Sequence, residues 1–354
     1  MTRIEKLKLK LPENFGAVLV ADRFSRRYLT GFESSAGIVV VTPHKAFFIV
    51  DFRYFEAAEN VVKDAETLLM TDMYPQLAAI LKENEAKELY IEVETTIAQM
   101  KRIEEKLPET RLICSGVLSD AIKELRMIKD AEEVAAIKAA QTITDAAFAH
   151  ILGYIKSGVA ERELAAEIEY YMRKNGADGT AFPTICISGT KTSMPHGEPD
   201  YNTVKYGDFV TMDFGARKDG YCSDMTRTVA VGSVSAEQRK VYNTVLDAHM
   251  AAFEAAREGI TGQQLDYAAR SIINAAGYEG CFGHGLGHSL GLEVHENPRA
   301  AAGSDAVLQN GMLMTIEPGI YLAGEYGIRI ENMALICKNG CENITKSERK
   351  LIIV

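Results

Sequence analysis

What the chain lacks narrows its function first. It has no block of clustered Lys and Arg, and its formal net charge is −10. Nucleic-acid binding is driven by basic clusters, so a nucleic acid is excluded as the main partner. No apolar run approaches the ~20 residues needed to cross a bilayer; GAVLVA from Gly16 and AGIVVV from Ala36 are the longest. No membrane is therefore expected as a partner. The N-terminal MTRIEKLKLKLPENFG lacks the apolar core of ~7–15 residues that marks a secretory signal, and the expected location is the cytoplasm. Cys114, Cys186, Cys222, Cys281, Cys337 and Cys341 are scattered without a CxxC pair, so they read as reduced residues rather than a disulfide framework.

The remaining composition is that of a globular protein. Hydrophobic residues make up 47% and charged residues 25% of 354 positions, which leaves no bias toward disorder or coiled coil and is too long for one typical domain. From Gly16 to about residue 118, short apolar runs (GAVLVAD, AGIVVV, AFFIVD, ELYIEVE, RLIC) alternate with helical stretches, an α/β pattern. A charged segment comes next, then long amphipathic helices separated by Gly-rich turns. The boundary falls near residue 122, giving domains 1–122 and 123–354.

Two helix starts are explicit. Asp130 with Glu133 forms a capping box before apolar residues running from Ile137 to Ile155, with Gly158 as the stop, and Ser235 with Gln238 begins a second helix toward Gly259. The segments directly after these two helices align without gaps: residues 158–176 match 259–277 at an offset of 101, with glycine at both ends and Leu164 matching Leu265. The pattern predicts two similar α+β halves, with any site between them drawing residues from both.

Polar residues with chemistry fall into both halves. Asp213 and Asp224 flank Lys218-Asp219-Gly220, a hairpin signal, and a two-residue turn there puts both carboxylates on one face, opposite or diagonal. Like charges so close repel unless a cation lies between them; alternatively one is solvated or ion-paired. In the second half, Glu317 and Glu331 each interrupt an apolar run, and buried carboxylates need partners. For Glu331 the nearby Arg329 is one candidate partner. His284, His288 and His295 stand within a Gly-rich loop. A lone histidine is usually a core or surface residue, but three so close favour metal or catalytic work.

The motifs PHG (195–197), DFG (213–215), SDMTRT (223–228), GHGLGHSLGLEVHE (283–296), TIEPGIY (315–321) and RIEN (329–332) together resemble the pita-bread metallopeptidases. YLTGFESSAG and DFRY in the first domain are similar to the N-terminal domain of the creatinase, prolidase and aminopeptidase P branch. The resemblance implies an α+β pita-bread catalytic domain with pseudo-twofold halves behind a smaller α/β domain. It also implies five metal ligands, Asp213, Asp224, His288, Glu317 and Glu331, holding two divalent ions. Mn²⁺ comes first for such an oxygen-rich set, with Co²⁺, Fe²⁺ or Zn²⁺ as alternatives.

By the same resemblance Glu317 carries a proton to the leaving nitrogen, while His196 and His295 hold the substrate and stabilise its tetrahedral intermediate. His284, Tyr321 and Arg329 match pocket residues or partners that orient the ligands, and Arg299 matches an arginine that in some prolidases takes the substrate's carboxylate. Asn332 and Cys281 depart from the pattern without removing a ligand. The implied activity is cleavage of a peptide with proline in second place, by an Xaa-Pro aminopeptidase first and an Xaa-Pro dipeptidase as the alternative. A non-peptidase enzyme such as creatinase, or an inactive binding protein, is the remaining reading. A homodimer is implied as well.

Overall fold

A computed structural model describes residues 1–354. The chain divides into two compact units, Met1–Arg126 and Met127–Val354. The change of composition near residue 122 falls inside a continuous helix, Val117–Met127, so the units part a few residues later than composition suggests.

The first unit is a twisted sheet with helices. Its strands are β1 (Ala17–Val20), β2 (Ile38–Val41), β3 (Ala46–Val50), β4 (Glu66–Leu69), β5 (Glu88–Ile91) and β6 (Arg111–Ile113), ordered β4-β3-β2-β1-β5-β6. Its helices are α1 (Arg3–Lys10), α2 (Arg23–Thr30), α3 (Phe52–Val61), α4 (Met73–Glu83), α5 (Ile97–Lys106) and α6 (Val117–Met127). β1 and β2 are buried at every position, which is why they read as unbroken apolar runs rather than alternating ones. β4, ETLL, is half-exposed at the sheet edge and has no such run to reveal it.

The second unit is built of two halves of like construction. The first half contains α7 (Ala131–Ile151), α8 (Glu161–Lys174), β7 (Gly179–Thr180), β8 (Ile185–Ser188), β9 (Phe209–Phe214), β10 (Ala216–Lys218), β11 (Tyr221–Cys222) and β12 (Met225–Ala230). The second contains α9 (Ala236–Ala255), α10 (Gly262–Ala275), β13 (Gly287–Ser289), β14 (Glu296–Ala300), β15 (Leu313–Ile316), β16 (Gly319–Leu322), β17 (Tyr326–Arg329), β18 (Asn332–Cys337) and β19 (Gly340–Asn343). α8 and α10 start and end at the same offset of 101 residues. Both are bounded by left-handed glycines, Gly158 and Gly176 against Gly259 and Gly277. The three-stranded sheet β12-β9-β8 has its counterpart in the centre of β14-β13-β15-β18-β19.

Both capping boxes form, at Asp130 with Glu133 and at Ser235 with Gln238. α7 nevertheless ends at Ile151, not at Gly158. Ile155 still reaches the core, from a turn in which its N–H is bonded to the Ile151 carbonyl; the apolar spacing outlasts the helix because the turn keeps winding. Each half packs its own core, around Phe148, Ile168, Met212 and Phe214 in one and Tyr242, Leu265, Met314 and Ile330 in the other. No helix is long and apolar enough to cross a membrane.

Candidate metal centre

The first pair of carboxylates is set by a hairpin. Arg217 faces Cys222 and Lys218 faces Tyr221, leaving Asp219 and Gly220 as the two-residue turn, both at positive φ (48° and 77°), as a type I′ turn requires. In β9 and β12 the same register sets Asp213 opposite Thr226 and Phe214 opposite Met225. Asp224, just before β12, therefore stands diagonal to Asp213 on the same face. The backbones come very close here: a Cβ on Gly215 would lie 1.8 Å from the Ser223 carbonyl oxygen.

The second pair arises the same way. β15 and β18 pair Ile316 with Asn332, and one step further brings Glu317 opposite Glu331. The Glu331 N–H donates to the Thr226 carbonyl at 3.1 Å, and the Thr226 hydroxyl donates to Glu331 Oε2 at 2.7 Å, so the two halves are joined at the site itself. His288, on β13, completes the group. Its Nδ1 bonds the Ser289 carbonyl at 3.1 Å; a carbonyl can only accept, so Nδ1 carries the hydrogen and Nε2 keeps a free lone pair. That Nε2 lies 3.7 Å from Asp224 Oδ2 and 3.4 Å from Glu317 Oε1. One ligand atom from each of Asp224, His288 and Glu331 falls within 4.8 Å of the others. Asp213 and Glu317 stand outside that tightest group but line the same cleft, of about 1030 Å³.

The electrostatics call for a cation. Burial first, then the charges of Glu331, Asp213 and Glu317, holds the Asp224 carboxyl well above the usual range. Burial, then Glu317 and Asp213, does the same to Glu331. Burial also pushes Glu317 up to about 8, against the opposing charge of Arg329. His288 is pushed down to about 4 by burial and then by His295, so it is neutral and able to ligate near pH 7.

Arg329 does not pair with Glu331. It is turned to Asp213, with Nη2 2.6 Å from Oδ2, and it also bonds Thr226 and Tyr321. It offsets one of the carboxylates, and Asp213 Oδ1 remains buried without a partner. Leaving such an oxygen unsatisfied costs about 1–3 kcal/mol or more. An orphaned carboxylate oxygen, three other clustered carboxyls and a neutral imidazole form a donor set that fits divalent, oxygen-seeking ions.

The other sequence-derived residues surround this group. His284 Nε2 meets the Tyr321 hydroxyl at 2.9 Å, and that hydroxyl accepts from Arg329 Nη1 at 2.8 Å. His284, His196, His295, Arg299 and Arg329 line the cleft, whereas Tyr321 stands behind them. The His295 ring lies edge-on to His288 with centroids 4.4 Å apart. Arg299 faces His288 across β13 and β14, and its guanidinium has no protein partner. His196 is exposed at the rim.

Sequence reasoning missed several supporting residues. Thr315 accepts the His288 N–H at 3.0 Å and donates to Glu317 at 3.2 Å. Lys129, with side-chain exposure of 1%, binds Glu296 and Ser289 at 3.1 Å, bracing the strand that carries His288 and the one that begins just after His295. Thr226 was discoverable, since strand alternation puts it on the face of Asp224. Lys129 gave no signal in a charged connecting segment.

Comparison with known proteins agrees with this geometry. Residues 135–338 match Metallopeptidase family M24, and residues 3–128 match the Creatinase/Prolidase N-terminal domain. The chain belongs to metallopeptidase family M24. It is similar to the Xaa-Pro dipeptidase of Pyrococcus furiosus, with 38% identity over 354 residues covering 99% of both chains. Among solved structures, an Xaa-Pro dipeptidase from Bacillus anthracis matches with a TM-score of 0.95 and 39% identity, covering 99% of each chain. An X-Pro aminopeptidase from Thermotoga maritima matches with a TM-score of 0.91 and 36% identity, over 96% of this chain and 98% of that one.

Proposed function

We propose that this protein hydrolyses the peptide bond between an N-terminal residue and a following proline. The observation that carries the reading is the cluster of four carboxylates and one neutral imidazole in a cleft whose other walls carry unpaired His196, His295 and Arg299. Asp213, Asp224, His288, Glu317 and Glu331 would hold two divalent ions, Mn²⁺ first. Such ions supply Lewis acidity, lowering the pKa of a water and polarising a carbonyl.

The chain's own groups do the remainder. As in any amide hydrolysis, the proline nitrogen must gain a proton to leave as an amine. Glu317, whose Oε1 lies 3.4 Å from His288 Nε2, would carry that proton to the leaving nitrogen. His196 and His295 would donate hydrogen bonds to the oxygen that becomes negative in the tetrahedral intermediate.

Arg299 favours the dipeptide as substrate. An unpaired guanidinium facing the metal ligands suits the carboxylate of a C-terminal proline, and relatives named as Xaa-Pro dipeptidases agree. Aminopeptidase action on longer chains is the reading that applies if that carboxylate is not required. Comparing metal-loaded hydrolysis of Xaa-Pro, Xaa-Pro-Xaa and Xaa-Ala separates the cases: the first two should be cut and Xaa-Ala spared, with Xaa-Pro preferred. Equal cleavage of Xaa-Ala would remove proline from the assignment.

The reading extends to the cytoplasm, supported by six free cysteines. It extends also to a homodimer, which light scattering tests.

A further inference from the structure

Arg270 lies on α10, outside the five candidate ligands, and the proposed hydrolysis makes no use of it. Its guanidinium is fully engaged. Nε and Nη2 bind the two oxygens of Asp266, one turn earlier, at 2.7 and 2.8 Å. Nη1 donates to the Phe282 carbonyl at 2.6 Å and Nη2 to the His284 carbonyl at 2.7 Å. Its central carbon stands 4.2 Å from the centre of the Phe282 ring. Asp266, 2% exposed, also accepts the Leu286 N–H at 3.0 Å.

The segment so gripped, Phe282–Leu286, has buried side chains at both ends, and its Gly285 packs against Ala300 and Ala301. Two of its five residues are glycine, and nothing lies within 4 Å of where a Gly283 Cβ would stand. Its flanks are fixed by Tyr321 N–H on the Cys281 carbonyl and Glu317 N–H on the Leu286 carbonyl. Between those points its backbone is tied to the rest of the fold through Arg270 and Asp266. The side chain it carries into the cleft is His284.

We propose that Arg270, held by Asp266, is a positioning residue that sets the backbone of Phe282–Leu286 and thereby the place of the His284 imidazole in the cleft wall. The guanidinium donates to four oxygens here, both of Asp266 and the two carbonyls, one more than the three N–H groups of a lysine ammonium allow. The kinetic consequence rests on the peptidase reading; the structural consequence does not.

The test uses the full-length, metal-loaded protein with Arg270→Met, Arg270→Lys, His284→Ala and the Arg270→Met/His284→Ala double variant. Amide exchange over residues 282–287 should quicken by on the order of tenfold in Arg270→Met. Its kcat/KM on Ala-Pro should fall by on the order of tenfold or more, with metal content per chain unchanged and Arg270→Lys failing to restore it. In the His284→Ala background the same substitution should add less than about twofold. A loss that persists in full without His284, falling metal content, or unchanged exchange each overturns the proposal. Should Arg270→Met not fold, Arg270→Lys alone and with His284→Ala is read by the same criteria. A parent protein inactive on every Xaa-Pro peptide overturns the peptidase reading, and the exchange measurement still decides the positioning claim.

Discussion

Asp224 lies among carboxyl groups that repel it, and only a cation makes its charge welcome there. Asp224→Asn keeps the shape and removes that charge, so the metal-free variant should melt above the metal-free parent. It should also bind Mn²⁺ weaker by on the order of 100-fold or more and lose peptidase activity. Calorimetry with metal analysis reads both effects, and full metal occupancy in Asp224→Asn, or in Glu331→Gln, would sink the assigned site. In the proposed hydrolysis Arg299 touches the substrate and no metal ligand. Losing a charge-assisted hydrogen bond of about 1.5–3 kcal/mol in Arg299→Met should raise KM for Xaa-Pro by tenfold or more, with kcat and metal content nearly unchanged. An unaltered KM would return Arg299 to the solvated surface and favour longer peptides as substrates.

At the scale of the element, the close approach beside the proposed metal ligands is the sensitive point. In Gly215→Ala the new Cβ must displace the Ser223 carbonyl, now 1.8 Å away, and the hairpin must open between Asp213 and Asp224. The expected result is a lower melting temperature together with at least ~10-fold weaker metal binding; titration calorimetry giving parental affinity would mean the hairpin absorbs the strain elsewhere. Much of this architecture was legible in the residues alone. The two-residue turn signal at Lys218-Asp219-Gly220 put Asp213 and Asp224 on a common face, two capping boxes fixed helix starts, and glycine spacing exposed the repeat. The end of α7 was not legible, because Ile155 continues the apolar spacing from a turn. Nor was the edge strand β4, or the direction of Arg329, since sequence proximity suggested Glu331 whereas the fold turns the guanidinium to Asp213. Arg270 and Asp266, one helical turn apart, carry no mark in the sequence of the backbone that they hold.

For the whole molecule the buried carboxyls impose a pH dependence. Asp224, Glu331 and Glu317 have folded pKa values above their unfolded ones, Glu317 up to about 8. The folded state thus keeps protons that the unfolded chain has lost, and the metal-free protein loses stability as pH rises through those values. Below about 6.5, the usual histidine value, His288 and His284, both pushed down to about 4, oppose the trend by favouring the unfolded chain. Metal-free protein should therefore melt a few degrees higher at pH 6.5 than at pH 8, on the order of 1–2 kcal/mol, and added Mn²⁺ should erase or reverse the difference. A metal-free melting temperature that rises from pH 6.5 to pH 8 would contradict the clustering. The joining of two distant stretches of chain at Thr226 and Glu331 has a further consequence, in time rather than in energy. Carboxylates so far apart in sequence meet only once both halves have formed, so metal capture belongs after the rate-limiting barrier to folding. Bound metal should then leave the refolding rate nearly untouched and slow unfolding instead, making the ion a clasp on the finished molecule.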